Sequence, residues 1–386
     1  MMAELPDEYR EIRDAARKFT ETVLEPFVPQ IDETGEVPKD VVRLMAENGY
    51  LGMRLSEEHG GAGLSLFPYC LVLEEFSRSH RIFTLIAIGT SGLTPATIAR
   101  HGTPEQRRKY LPGMVQGRIS SAFALTEPDA GSDPAGMKTT ARKTAKGWVI
   151  NGRKHFISNG HRADFVMVMA VTDPEKRSRG GISAFLVDRG TPGFSVTRVD
   201  KTIASDAIQL AELTFEDCEV PDSALLGKVG AGFAMSMESL TEGRLSVACS
   251  CLGAADRVLE MSVEYAKQRV TFGKPLASRQ AIQWMLADSA TELAAARALT
   301  YQTIADADAG RQVGSRPSMC KLYASEMVGR VVDRAVQVHG GMGVIRGFPV
   351  ERFYRDVRHY RVGEGTSEIQ RIIISRDLFG RRGEEG

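Results

Sequence analysis

The chain carries no net charge: 49 lysines and arginines stand against 49 aspartates and glutamates. No overall field is left to hold nucleic acid or an anionic membrane. No run of about eighteen apolar residues occurs, so no membrane span is expected. Cysteine is scarce, with only Cys70, Cys218, Cys249, Cys251 and Cys320. The number is odd, and the spacing fits neither a disulfide framework nor a zinc site. All five are expected to be free thiols, which points to a reducing cytoplasm. The first eight residues are acidic and open a helix-like pattern, unlike a secretory signal or an Arg/Ser-rich transit peptide. The last six, Arg381 to Gly386, do not end in a peroxisomal tripeptide. A dinucleotide fingerprint is missing too. Gly341-Met-Gly343 is followed by Gly347, not by a glycine three residues on, and Gly230-Ala-Gly232 fails likewise. There is no internal repeat and no low-complexity tract.

What is present is a change of period along the chain. At 386 residues, two or three domains are expected. Residues 1–121 read as helical: Tyr9, Ile12, Ala16 and Phe19 recur at helical spacing, and Thr103-Pro104 gives an N-cap followed by proline at the first position. Val41 to Tyr50, Leu71 to Ser77 and Ile86 to Arg100 are further helical stretches. Residues 122–230 turn to short apolar runs divided by turns. The runs are Phe165 to Val171, Ile182 to Val187, Phe194 to Val199 and Leu213 to Phe215, with a hairpin at Lys146-Gly147. Residues 231–386 hold long helices: Met235 to Gln268, Arg279 to Gly310, Ser318 to His339 and Ser367 to Leu378. The expected fold is an α+β multidomain chain. It has an N-terminal α-helical domain, a middle antiparallel β domain and a C-terminal four-helix-bundle domain.

The stretch with the clearest chemistry is Gly363-Glu364-Gly365-Thr366-Ser367-Glu368-Ile369-Gln370. One carboxylate sits between two glycines, which open backbone conformations closed to other residues. A helix starts directly after it, and Ser367 and Gln370 have the spacing of a capping box. A carboxylate presented in this way suits a general base. The helix N-terminus lowers its pKa, and burial beside an apolar ligand raises it, with burial expected to win.

The octet resembles the E-G-T-[SA]-[EQ]-I-Q signature of the acyl-CoA dehydrogenases. Four more segments resemble that family, in its order: Phe123-Ala-Leu-Thr-Glu-Pro-Asp-Ala-Gly-Ser-Asp133, Lys154-His-Phe-Ile-Ser-Asn159, Arg269-Val-Thr-Phe-Gly-Lys-Pro275 and Gln337-Val-His-Gly-Gly-Met-Gly343. The resemblance spans essentially the whole chain. It implies oxidation of an acyl-CoA thioester to a trans-2-enoyl-CoA. Such a reaction needs a base for the α-proton, donors that polarise the thioester carbonyl, and a hydride acceptor. Glu364 is the implied catalytic base, and its main-chain N–H is one implied donor to the carbonyl. FAD is the implied cofactor and hydride acceptor.

By the same resemblance, Phe123, Leu125 and Thr126 line the flavin ring, with Ser132, Phe156 and Ser158 close by. Arg269, Thr271 and Phe272 reach the FAD pyrophosphate of a neighbouring subunit, and Gln337, Gly340 and Gly341 approach the adenosine. Thr366 and Glu368 close over the flavin. Ser132, Arg244 and Gly365 are the implied substrate contacts. A homotetramer and an electron-transferring flavoprotein as electron acceptor are also implied.

Some members carry the base in the segment matching Thr241-Glu242-Gly243-Arg244; Gly243 stands at that position, which leaves Glu364, and Glu242 reads as structural. His155 and His339 read as ordinary structural residues. Phe156 replaces a common tryptophan, and Thr241 a common aspartate. Gly363 replaces a common tyrosine and is expected to widen or reshape the pocket. Arg81 could pair with an acidic acyl group but reads as a solvated helix residue. Two alternatives stay open: a same-fold acyl-CoA oxidase or lyase-like enzyme, and a non-catalytic helical binding protein.

Overall fold

A computed structural model describes residues 5–380. The termini read above for targeting signals, up to Glu4 and from Arg381, lie outside the described residues. Seven helices come first: α1 (Asp7–Phe19), α2 (Val28–Thr34), α3 (Lys39–Glu47), α4 (Leu66–Phe76), α5 (Arg81–Ser91), α6 (Leu93–His101) and α7 (Pro104–Val115). Thr103 caps α7 as expected: its hydroxyl accepts the Gln106 N–H, and the Gln106 side chain accepts the Thr103 N–H. The stretch Ile86 to Arg100, expected as one helix, is two. Gly92 breaks it with an extended backbone, φ −101 and ψ −146. Taken together, Arg81–His101 is apolar enough by mean hydropathy, 1.5, to pass as a membrane span. The break and its packing inside the protein make it an ordinary core element.

The middle of the chain forms β1 (Ser121–Ala124), β2 (Thr140–Thr144), β3 (Gly147–Ser158), β4 (Phe165–Val171), β5 (Ile182–Asp188), β6 (Phe194–Lys201), β7 (Gln209–Val220) and β8 (Leu225–Leu226). The strand order is β6-β7-β3-β2-β4-β5-β8, with β1 also on β4. The sheet is antiparallel except in two places: β1 and β2 both run parallel to β4. A parallel neighbour requires a long crossover, and the β2–β3 hairpin inside the β1-to-β4 connection supplies one. Phe165–Val171 is an unbroken apolar run because both faces of β4 are covered. Val166, Val168 and Ala170 join the core inside the sheet. Phe165, Met167 and Met169 pack instead against Tyr110, Leu111 and Met114 of α7.

The remainder is α8 (Gly232–Gln268), the short hairpin β9 (Val270–Thr271) and β10 (Lys274–Pro275), then α9 (Gln280–Asp308), α10 (Arg316–His339), α11 (Pro349–Val357) and α12 (Ser367–Leu378). At 37 residues, α8 is the spine. Its middle is a run of small buried residues, Ala248, Cys249, Ser250, Cys251, Gly253, Ala254 and Ala255. These let α4 approach so closely that a Cβ on Gly253 would lie 2.7 Å from the Glu74 carbonyl carbon. Ion pairs tie the two helical layers together. Buried Glu74 on α4 takes Arg297 of α9 at 2.8 Å and the Tyr301 hydroxyl at 2.8 Å. All five cysteines are buried free thiols, as expected.

Candidate active site

Glu364 lies in the turn between α11 and α12, and its φ is +57. That left-handed backbone is uncommon for a residue with a side chain. It persists because neighbours hold the turn. The Gln370 side-chain amide donates to the carbonyls of Glu364 (3.1 Å) and Gly365 (2.9 Å). The Lys321 ammonium, on α10, donates to the Gly365 carbonyl at 2.6 Å. These bonds correct the expected capping box. The cap of α12 is Thr366, whose hydroxyl accepts the Ile369 N–H at 3.3 Å. The Ser367 hydroxyl goes to Glu326 instead, at 2.7 Å. Gln370 reaches past the helix start to lock the turn itself.

The carboxylate points at α8. Its Oε2 is shut off from solvent and has no hydrogen-bond partner. It lies 3.0 Å from where a Cβ on Gly243 would stand, so glycine there is what gives the carboxylate its seat. Burial raises the Glu364 pKa above the ordinary carboxylate value, and the Arg244 and Lys321 charges only partly offset this. Burial pushes the Lys321 ammonium down to about 8. Arg244 is lowered by burial as well, and its Nε has no partner. The N–H of Glu364 enters no backbone hydrogen bond among the described residues, so it remains available to a ligand oxygen.

A cavity of about 30 Å³ opens beside the carboxylate, lined by Tyr69, Ile88, Ser91, Ser246 and Val247 together with Glu364. Glu242 is structural, as read. It is bound by Arg54 at 3.2 Å and Arg100 at 2.5 Å.

Two expectations about this pocket are corrected. Gly363 reshapes the pocket but does not widen it, because a Cβ there would meet the His359 Nε2 at 2.5 Å and the imidazole takes that space. Arg81 is not solvated. It is 6% exposed at the start of α5, and its guanidinium lies 5.1 Å from the Tyr360 ring centroid. Its Nε and Nη1 have no partners. Arg81 shares a helix face with Ile88, seven residues on, so the face that lines the pocket carries it inward. Its charge, with burial, holds His359 well below the usual imidazole range.

The remaining candidates fall into two groups. Phe123 is on β1, and Leu125 and Thr126 directly follow it. Buried Lys154 of β3 donates to the Leu125 carbonyl at 3.0 Å and pairs with buried Glu127 at 2.8 Å. The His155 N–H donates to the Thr126 carbonyl at 2.9 Å. Burial takes Lys154 down to about 8. Phe156 has φ +59 where the β3–β7 register shifts, and this bulge turns its ring outward to 55% exposure, stacked on His155. Ser158 and Ser132 are exposed nearby in sequence, on β3 and on the loop before β2.

The second group is elsewhere. Arg269, Thr271 and Phe272 sit at the β9–β10 hairpin beyond the end of α8, and Phe272 is 96% exposed. Gln337, Gly340 and Gly341 are exposed at the end of α10, beside His339, which is buried on Tyr265 at 4.4 Å between ring centroids. The start of α8 packs on β5 at Ser183 and Ala184. Its end is about 55 Å away by helix rise. Within one chain the hairpin therefore does not reach the flavin-ring group near β1. Thr366 and Glu368 lie at the start of α12, with Glu368 exposed.

The second group suits a diphosphate. Arg269 makes no ion pair among the described residues, and nothing stands within 4 Å of a Cβ at Gly340 or Gly341. The two groups, with the carboxylate turn, fit an extended flavin dinucleotide.

Three residues near the carboxylate escaped the sequence reading: Lys321, Tyr69 and Ser246. For Lys321 a signal existed. Pro317, Lys321, Ala324 and Val328 recur at helical spacing on the buried face of α10.

A helical layer, a sheet and a helical bundle meet around a carboxylate whose buried Oε2 has no partner, a setting suited to proton transfer. Family models agree over nearly the whole chain. The acyl-CoA dehydrogenase N-terminal, middle and C-terminal domains match residues 6–118, 122–218 and 230–379. An acyl-CoA dehydrogenase of Bacillus subtilis is 40% identical over 96% of this chain and 97% of its own length. An acryloyl-CoA reductase (NADH) of Anaerotignum propionicum is 40% identical over 98% and 96%. The structure of butyryl-CoA dehydrogenase from Megasphaera elsdenii superposes with a TM-score of 0.92 at 36% identity, covering 98% of this chain and 100% of that one. The chain belongs to the acyl-CoA dehydrogenase family. It is an FAD-dependent oxidoreductase that acts on an acyl-CoA.

Proposed function

We propose that the protein dehydrogenates a short acyl-CoA to its trans-2-enoyl-CoA and passes the electrons to an electron-transferring flavoprotein. The observation that carries this reading is the Glu364 carboxylate, buried without a partner at the mouth of a small pocket. A base must lie within reach of the proton it takes and have a pKa near the working pH. Burial has already moved Glu364 in that direction. The free N–H of Glu364 would hold the thioester carbonyl and stabilise the enolate-like charge as the α-proton leaves. Arg244 and Lys321 add positive charge on the same side. Bound FAD supplies the acceptor for the β-hydride. The side chains around the carboxylate keep water from it.

The same carboxyl group, protonated, would deliver a proton to Cα in the opposite direction. The acryloyl-CoA reductase relative makes that direction a second reading, because a raised pKa suits the acid as well as the base. A homotetramer fits the separation of the two flavin-lining groups along α8, which a neighbouring chain would bring together. A cytoplasmic setting fits five buried thiols with no disulfide.

The test is the anaerobic visible spectrum of the flavin-loaded protein titrated with saturated acyl-CoAs, for the wild type and Glu364→Gln. The wild type bleaches with one short acyl-CoA. The glutamine variant keeps its flavin bands but loses turnover by at least about 10³-fold, in the range for a general base and more. Near-normal turnover in Glu364→Gln would place the base elsewhere.

A further inference from the structure

Tyr69 lies on α4 and lines the cavity beside Glu364. It is 2% exposed, yet its hydroxyl has no hydrogen-bond partner. Ser246 stands beside it, close enough to offset part of the rise in its pKa, but that hydroxyl donates to the Glu242 carbonyl at 3.3 Å and lies outside hydrogen-bond geometry with the phenol. A buried hydroxyl without a partner costs roughly 1–3 kcal/mol. Burial also drives the phenol far above its ordinary pKa, so it keeps its proton and is a donor. Other polar groups on the same wall are occupied. Arg54 is held by Glu242, the Ser91 hydroxyl accepts the Met53 N–H at 3.0 Å, and Ser239 is bonded to Thr97 at 2.8 Å. Among the side chains that line the cavity, the Tyr69 hydroxyl is thus the unused donor, and there is room for about one small group.

We propose that Tyr69 selects the substrate: the acyl group carries a neutral oxygen, a hydroxyl or a carbonyl, near its γ-carbon, and this oxygen accepts the Tyr69 hydroxyl proton. The proposal rests on the acyl-CoA reading above and narrows its substrate class. A purely aliphatic chain would bury the hydroxyl and leave it unpaired, whereas an oxygen at that point satisfies it. A site with a buried donor discriminates strongly against an analogue that lacks the matching atom. A carboxylate is disfavoured, because the cation in the cavity lining, Arg54, is already paired with Glu242, and the Glu364 carboxylate lines the same cavity.

The test compares 4-hydroxybutyryl-CoA with valeryl-CoA, which replaces the hydroxyl by a methyl of similar size. Flavin bleaching rates and kcat/KM are read for the wild type, Tyr69→Phe and Ser246→Ala, each with its flavin content measured. The wild type is expected to favour the hydroxylated thioester at least tenfold. Tyr69→Phe is expected to cut that ratio at least tenfold, whatever it does to the absolute rates. Ser246→Ala leaves the phenol in place and is expected to keep the preference, which separates loss of the donor from general disturbance of the pocket. A ratio within twofold of one in the wild type, or one unmoved by Tyr69→Phe, overturns the proposal and assigns the hydroxyl to a bound water. A preference for glutaryl-CoA over both overturns it in favour of an anionic acyl group. If no acyl-CoA bleaches the flavin, the enzymatic reading itself fails, an outcome distinct from bleaching by valeryl-CoA alone.

Discussion

Gly253→Ala tests the crossing of α4 and α8, on which the pocket depends. The added Cβ would stand 2.7 Å from the Glu74 carbonyl carbon, with the Glu74 oxygen and Ser77 hydroxyl closer still. Carbon atoms in contact prefer 3.5–4.0 Å, so α4 must withdraw by about 1 Å. Overpacking of this kind costs about 1–3 kcal/mol, and the upper end applies because the obstacle is backbone. Disturbing the Ser77 hydroxyl's 2.8 Å bond to the Glu74 carbonyl adds about 1 kcal/mol. Alanine returns about 1 kcal/mol through helix propensity. The net loss is about 3 kcal/mol, or a fall in Tm of about 6 °C at about 2 °C per kcal/mol. The assay is thermal unfolding of the flavin-loaded protein followed by flavin fluorescence. Gly89→Ala on α5 is the control, since nothing lies within 4 Å of its Cβ. It gains helix propensity without a clash and raises stability by about 0.5–1 kcal/mol. Equal melting of Gly253→Ala and Gly89→Ala would refute the close crossing.

Two further outcomes follow from buried charge. Lys321 has a folded pKa of about 8 against 10.5 for a free lysine. Below pH 8 both folded and unfolded states keep its proton and the burial penalty is present in full. Between about 8 and 10.5 the unfolded chain holds more protons, so the Lys321 contribution to stability rises with pH. The melting-temperature gap between wild type and Lys321→Met should therefore move in favour of the wild type from pH 7.5 to 9.5, and a constant gap contradicts the depressed pKa. Arg81→Met removes a buried guanidinium that has no carboxylate partner. Its Tm should stay level or rise, as when buried charge is replaced by an apolar side chain. A fall equivalent to more than about 3 kcal/mol would reveal a missed counter-ion.

The periodic features of the chain were legible before any coordinates. Helical spacing located α8, α9, α10 and α12 to within a few residues. Apolar runs located β4 and β5, because a strand covered on both faces has a composition unlike its surroundings. The Glu364 turn could be read from its glycines. What the sequence concealed depends on which neighbour a side chain meets. Gly92 ends a helix only because the chain there takes an extended conformation. Arg81 looks like a surface residue until α5 is seen to turn that face inward. Gly363 looks like a vacancy until His359, four residues earlier, is found occupying it. Gln370 has capping-box spacing, yet the turn carbonyls compete for its amide and win. Each of these is settled by tertiary packing, to which local pattern is blind.

The length of α8 also has a genetic consequence. Because it holds the flavin-ring strands and the β9–β10 hairpin at opposite ends, each chain would contribute one part to its own cofactor site and another to a neighbour's. Under the proposed function and assembly, a chain damaged at Glu364 and a chain damaged at Arg269 would each be inactive alone. Mixed in one assembly, they would make one site carrying both defects and one carrying neither. Two loss-of-function alleles of this protein would then complement each other, which a self-contained active site does not allow.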